Sequence, residues 1–148
     1  MNFLFYSFIC YLIFGSSFAA DGRYSPFIID YTNLTALKST HIKKGDLKKG
    51  LIIFKSRKTN CLSCHEAPIP EEKFQGNFGP SLIGVGSKYS REEIRIRLIN
   101  PKITNPDTIM PAYFKKIDYP RTPKEYLGKT ILLPEEVEHL VEYLYSIK

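Results

Sequence analysis

The chain has 148 residues, enough for one domain around one hydrophobic core, and its 21 lysines and arginines against 15 aspartates and glutamates give a formal net charge of +6. The basic residues are spread along the chain with no recognition motif among them, so nucleic acid is not an expected partner. The surplus positive charge suits either plain solubility or docking to an acidic protein or a membrane surface.

Residues 1–20 carry no charged side chain. Phe3 to Phe14 is mostly apolar and aromatic, the length of a signal-peptide core, and Gly15-Ser16-Ser17-Phe18-Ala19 supplies small residues for a cleavage site. Residues 1–19 are therefore expected to direct export to the periplasm and to be removed after Ala19. The segment lacks an N-terminal Lys or Arg, which leaves an uncleaved anchor as the alternative. The apolar run is short for a membrane span, and no stable membrane insertion is expected. Cys10 is not preceded by the small residues of a lipoprotein box and should leave with the signal. Of the three cysteines, Cys61 and Cys64 would remain, with no further thiol to carry a substrate.

Residues 20–45 read as an irregular N-terminal extension, because Pro26, Asp30, Asn33, Thr35 and Ser39 interrupt every period. Phe27-Ile28-Ile29 is too short for a domain and would pack on this protein or on a partner. His41, near Lys43 and Lys44, reads as an exposed loop histidine. Residues 46–148 are expected to form the folded domain. Asp46 can cap a helix running to about Arg57, with Leu47, Gly50, Leu51 and Phe54 on one face. A glycine on that apolar face, at a cost of roughly 1 kcal/mol against alanine, suggests a close helix crossing; the plainer reading is a tolerated glycine. Lys55, Arg57 and Lys58 form a basic collar, either a solvated face or a docking surface.

Cys61-Leu62-Ser63-Cys64-His65 is C-x-x-C-H, the attachment signature of c-type haem. Two thiols at that spacing can add across the two haem vinyl groups, and the following imidazole becomes the proximal iron ligand. A zinc site would need two further ligands at their own spacing. A thioredoxin-like site would need an early strand in a βαβ frame, and a disulfide would leave His65 without a role. The loop after the motif leads to Gly79-Pro80-Ser81-Leu82. The carbonyl of Pro80 is placed either to accept the Nδ1–H of His65, fixing its tautomer, or simply to form a turn.

Ser90-Arg91-Glu92-Glu93 is a capping box opening a helix that turns Ile94, Leu98 and Ile99 inward and stops before Pro101. Glu92 and Glu93 favour the positive end of that helix, and Glu135 and Glu136 do the same at the last helix, so neither pair reads as catalytic. Residues 100–133 form a long stretch with little periodicity, which usually has a function. The chain has two methionines, and Met110, in Thr108-Ile109-Met110-Pro111-Ala112-Tyr113, is the one that survives export. Its thioether suits haem iron as sixth ligand; the alternative is a gap-filling core methionine. Pro134 opens a final helix with Val137, Leu140, Val141, Leu144 and Ile147 on one stripe and His139 on the opposite face.

Helix, C-x-x-C-H, Gly-Pro loop, second helix, methionine loop and terminal helix follow the order of a class I cytochrome c, an all-α fold. Gly76-Asn77-Phe78-Gly79-Pro80-Ser81-Leu82-Ile83-Gly84, Leu98-Ile99-Asn100-Pro101 and Asn105-Pro106-Asp107-Thr108-Ile109-Met110-Pro111-Ala112-Tyr113 narrow the resemblance. So does Tyr126-Leu127-Gly128-Lys129. Over roughly residues 46–148 the chain resembles the SoxX cytochromes of bacterial sulfur oxidation. That resemblance implies one covalent haem c on Cys61 and Cys64, ligated by His65 and Met110. It implies a heterodimer with a SoxA-type cytochrome, a transient encounter with the carrier SoxYZ and a downstream electron acceptor. The implied activity is electron transfer within an L-cysteine S-thiosulfotransferase that joins thiosulfate oxidatively to a SoxYZ cysteine, the sulfur chemistry residing on the partner subunit. Residues 20–45 have no counterpart in the resemblance. A free periplasmic shuttle serving an oxidase or reductase is the alternative, and a haem-based ligand sensor would require an open sixth position.

Overall fold

The computed structural model describes residues 22–148 of the chain; the export segment expected over residues 1–19, with Cys10 and the cleavage point after Ala19, lies outside the described residues. Three helices carry the core: α1 (Leu47–Lys55), α3 (Arg91–Ile99) and α4 (Pro134–Ser146), with a single turn α2 (Val85–Lys88) between the first two. Phe54 from α1, Ile94 and Leu98 from α3, and Val137, Leu140, Val141 and Leu144 from α4 are buried together. Among the described residues no helix is long and apolar enough to cross a membrane.

Each helix begins where its sequence directs. The Asp46 carboxylate accepts the Lys49 N–H at 2.9 Å and starts α1. Ser90 and Glu93 form the reciprocal box of α3: Glu93 N–H donates to Ser90 Oγ at 3.2 Å and Ser90 N–H to Glu93 Oε2 at 2.8 Å. At α4, Pro134 needs no partner for a missing N–H, and Leu133 N–H donates to Glu136 Oε2 at 2.7 Å. The close crossing expected at Gly50 is present: a Cβ there would lie 2.0 Å from the His139 carbonyl oxygen and 2.7 Å from Tyr143 Cβ. Only a hydrogen lets α1 and α4 approach so closely, and it seats the Phe54 ring 5.2 Å from that of Tyr143.

Among the described residues the helical frame carries one small sheet, in the lead-in expected to be irregular. Phe27–Asp30 (β1) and Thr35–Lys38 (β2) form an antiparallel hairpin, Phe27 opposite Lys38 and Asp30 opposite Thr35. The residues read as breakers build its turn, since Asp30 Oδ1 accepts the N–H groups of Thr32 and Asn33, both at 2.9 Å. Phe27, Ile29 and Ala36 face inward, and Phe27 meets Phe114 edge-on at 4.9 Å, so the apolar run packs on this protein.

A buried ion pair joins the hairpin to two helices. Arg95 Nε and Nη2 donate to the two carboxylate oxygens of Glu138 at 2.6 and 3.0 Å, and Nη1 donates to the Ala36 carbonyl at 2.7 Å. Both side chains are 2 % exposed as residues. The pair is fully hydrogen-bonded, the condition under which such burial is tolerated.

Candidate haem site

The motif is presented on a single tight turn. Asn60 adopts the left-handed conformation at φ 53°, which asparagine tolerates, and its Oδ1 accepts the Ser63 hydroxyl at 2.6 Å. Cys61–Ser63 then form one 3-10 turn, and the N–H groups of Cys64 and His65 both donate to the Cys61 carbonyl, at 3.1 and 2.9 Å. Burial pushes the Cys61 thiol up from its ordinary range.

The following loop is laced back onto the motif. Gly76 N–H donates to the Leu62 carbonyl, Gly79 N–H to that of Cys64, and Leu82 N–H to that of Glu66, at 2.8, 2.7 and 2.8 Å. This brings the Pro80 carbonyl 2.7 Å from His65 Nδ1. A carbonyl can only accept, so Nδ1 carries the proton and Nε2 keeps its lone pair. Gly79 lies against the imidazole, where a Cβ would stand 2.5 Å from His65 Cε1.

Met110 arrives from the other side of the sequence. Its loop is pinned where Tyr113 and Phe114 N–H donate to the Leu98 and Ile99 carbonyls at 3.0 and 3.2 Å. The Tyr113 hydroxyl donates to the Thr59 carbonyl at 2.7 Å, tying this loop to the residues just before the haem motif. Lys102 Nζ bridges the carbonyls of Pro106 and Thr108, both at 3.0 Å, and Met110 N–H donates to Thr108 Oγ1 at 3.2 Å. A loop short of helix and strand is thereby given a defined path.

These elements enclose two adjoining cavities of about 430 and 230 Å³. All five residues singled out from the sequence lie together: Cys61, Cys64, His65, Pro80 and Met110 line the larger one. Cys61, His65, Pro80 and Met110 also line the smaller, with Leu82, Ile94 and Leu98 among its apolar walls. Two unpaired cysteines, an imidazole whose Nε2 is available, and a thioether on one apolar cleft fit a covalently bound haem. The glycine at position 79 keeps the imidazole side of that cleft clear.

Arg97 and Tyr113 line both cavities too, and periodicity did not single them out. The available signal for Arg97 was a charge beside Leu98 on the inward side of a short helix. Both lysines of the basic collar are ion-paired: Lys55 meets Glu72 at 2.8 Å and Glu71 at 3.3 Å, and Lys58 meets Glu136 at 2.7 Å. His41 is exposed. His139, expected on the outer face, is half-buried and accepts the Asp46 N–H on Nδ1 at 2.8 Å; neither histidine lines the cleft.

Comparison with protein families matches residues 48–148 to the family described as Cytochrome c. Among solved structures, the chain is similar to one in the crystal structure of SoxXA from P. pantotrophus, with a TM-score of 0.72 and 25% identity, covering 82% of this chain and 94% of that one. No curated protein matches the chain in sequence. The family match spans the motif, the cleft and all three core helices, and the chain is a member of the cytochrome c family, with the class I fold and covalently bound haem c as its cofactor.

Proposed function

We propose that this chain is the electron-accepting monohaem subunit of a SoxAX-type complex. Its partner is a SoxA-type c cytochrome, and the pair conjugates thiosulfate oxidatively to a cysteine of the SoxYZ carrier in the periplasm. The observation that carries this reading is the likeness to a SoxXA chain over 94% of that chain's length and 82% of this one.

Within that reading, Cys61 and Cys64 would hold the cofactor as thioethers, and His65 Nε2 and the Met110 sulfur would ligate its iron. The bound group supplies a one-electron couple. The Pro80 carbonyl keeps the imidazole in the tautomer that leaves Nε2 free, which also makes it a stronger donor. A thioether and an imidazole together on the iron would raise the potential, which suits an acceptor of electrons. Neither of these cysteines remains to carry sulfur once both are thioethers, so the sulfur chemistry falls to the partner. Residues 1–19 serve export and are removed after Ala19.

The test is gentle purification of the tagged protein from periplasm at low salt, followed by sizing and haem staining of the bands. A stable one-to-one complex with a second c-type cytochrome is the expected result. A monomer that remains alone under those conditions would overturn the subunit assignment and leave a free shuttle.

A further inference from the structure

The loop that carries Met110 is gripped at both of its ends by the N-terminal segment. It leaves α3 at Asn100 and rejoins the core at Phe114. At the first end, Asn100 Nδ2 donates to the Tyr24 hydroxyl at 2.8 Å, and both residues are buried. At the second, the buried Phe114 ring meets that of Phe27 edge-on, with 4.9 Å between centroids. Phe27 opens β1 and Tyr24 stands just before it, so one short stretch of chain holds both ends.

The grip reaches Met110 through the loop's own bonds. Asn100 N–H closes α3 on the Ile96 carbonyl at 2.9 Å, and its Oδ1 accepts the Lys102 N–H at 3.3 Å, starting the turn Pro101–Ile103. Lys102 Nζ then holds the carbonyls of Pro106 and Thr108, the latter two residues before Met110. The gripping segment is anchored elsewhere, through the Ala36 carbonyl to Arg95 at 2.7 Å. Neither Tyr24 nor Phe27 lines either cavity, so any effect they have on the site passes through the loop. A methionine side chain is flexible and unbranched, so the place of its sulfur depends on how firmly the backbone beneath it is held.

We propose that Tyr24 and Phe27 are positioning residues for Met110, the N-terminal segment acting as a clamp that keeps the thioether in the cleft. The proposal rests on the reading of Met110 as an iron ligand. Loosening either grip raises the population in which the loop has swung out and the sulfur has left, and an added ligand binds more tightly in proportion to that population. Attachment at Cys61 and Cys64 lies on other elements and does not depend on the clamp.

The test measures the affinity of added imidazole for the ferric holoprotein, which reports how readily Met110 gives way. Wild type is compared with Tyr24→Phe, Phe27→Leu, Glu142→Gln and Met110→Ala, with haem-peptide mass and melting temperature recorded for each. Tyr24→Phe should bind imidazole about tenfold more tightly, the loss of one buried hydrogen bond. Phe27→Leu should bind it about three- to tenfold more tightly, the loss of an edge-on ring contact. Both keep their covalent haem. Glu142→Gln breaks the Arg91 pair between α3 and α4, so its melting temperature falls while its imidazole affinity stays that of the wild type. Wild-type affinity in one clamp variant would remove that residue's role, and in both would overturn the proposal. Tightening of the same size in Glu142→Gln would overturn it too, because the effect would then follow global stability. Met110→Ala marks the open-site limit. If it binds imidazole no more tightly than the wild type, the ligand reading of Met110 fails, and the proposal with it.

Discussion

The Pro80 carbonyl accepts the Nδ1–H of His65 at 2.7 Å, fifteen residues on in the chain, and Gly79 lies flat against the same imidazole. The ring is therefore fixed by a hydrogen bond on one edge and by backbone beside it. A methyl group at position 79 would stand 2.5 Å from Cε1 and 2.7 Å from Nδ1. Gly79→Ala must displace either the ring or the loop, at a cost of about 1–3 kcal/mol typical of overpacking. The expected outcome is a lowered melting temperature of the holoprotein with a perturbed visible spectrum. An unperturbed spectrum and melt would show that the loop yields freely.

Met110→Ala should keep the haem attached through Cys61 and Cys64 while opening the iron to exogenous ligands. The expected signs are carbon monoxide binding by the reduced variant and a markedly lower midpoint potential. Wild-type protein, with the thioether in place, should stay low-spin and ignore carbon monoxide. A variant with unaltered potential and spectrum would assign Met110 to cavity filling instead.

Breaking the Arg95–Glu138 pair on one side leaves a buried charge without its partner. Glu138→Gln should destabilise the fold by about 3–5 kcal/mol in urea unfolding, whereas replacing both residues with apolar ones of similar volume should cost far less. The hairpin should loosen in the single variant, because Arg95 also holds the Ala36 carbonyl at 2.7 Å. Faster amide exchange in Phe27–Asp30 and Thr35–Lys38 would register that loosening. Equal costs for the single and double variants would contradict this account of the pair.

The acid limb of stability has a definite sign. The Arg91 guanidinium holds the Glu142 carboxyl below its ordinary 4.5, and the Ser90 cap does the same for Glu93. A carboxyl depressed in the folded state contributes stability that is complete above its unfolded value and is lost as pH falls through the folded one. The urea midpoint should therefore decline below about pH 4.5. Glu142→Gln should lower stability at neutral pH and make that decline shallower. A variant with the wild-type slope would place the acid sensitivity elsewhere.

The helical frame and the cleft were legible because their signals are local. Asp46, the Ser90–Glu93 box and Pro134 mark helix starts through contacts within a few residues, and C-x-x-C-H carries its chemistry in five. Gly50 announced a close crossing because a glycine on an apolar face has few other uses. The hairpin was misread because Asp30 and Asn33 signal a turn, while the four-residue strands on either side of it are too short to show a clean alternation. The Arg95–Glu138 pair escaped for a related reason: each charge sits on its own helix as an ordinary surface residue would. Their mutual burial exists only once α3 packs on α4. Arg97 belongs to the same class, since its place in the cleft depends on a wall formed by loops distant in sequence.

The central claim is the covalent haem at Cys61 and Cys64, and mass spectrometry of the purified protein tests it most directly. The expected result is a peptide bearing both cysteines with one haem added through two thioethers, and an intact mass carrying that single haem. A peptide with free thiols at both positions, or with Cys61 and Cys64 joined as a disulfide, would contradict it.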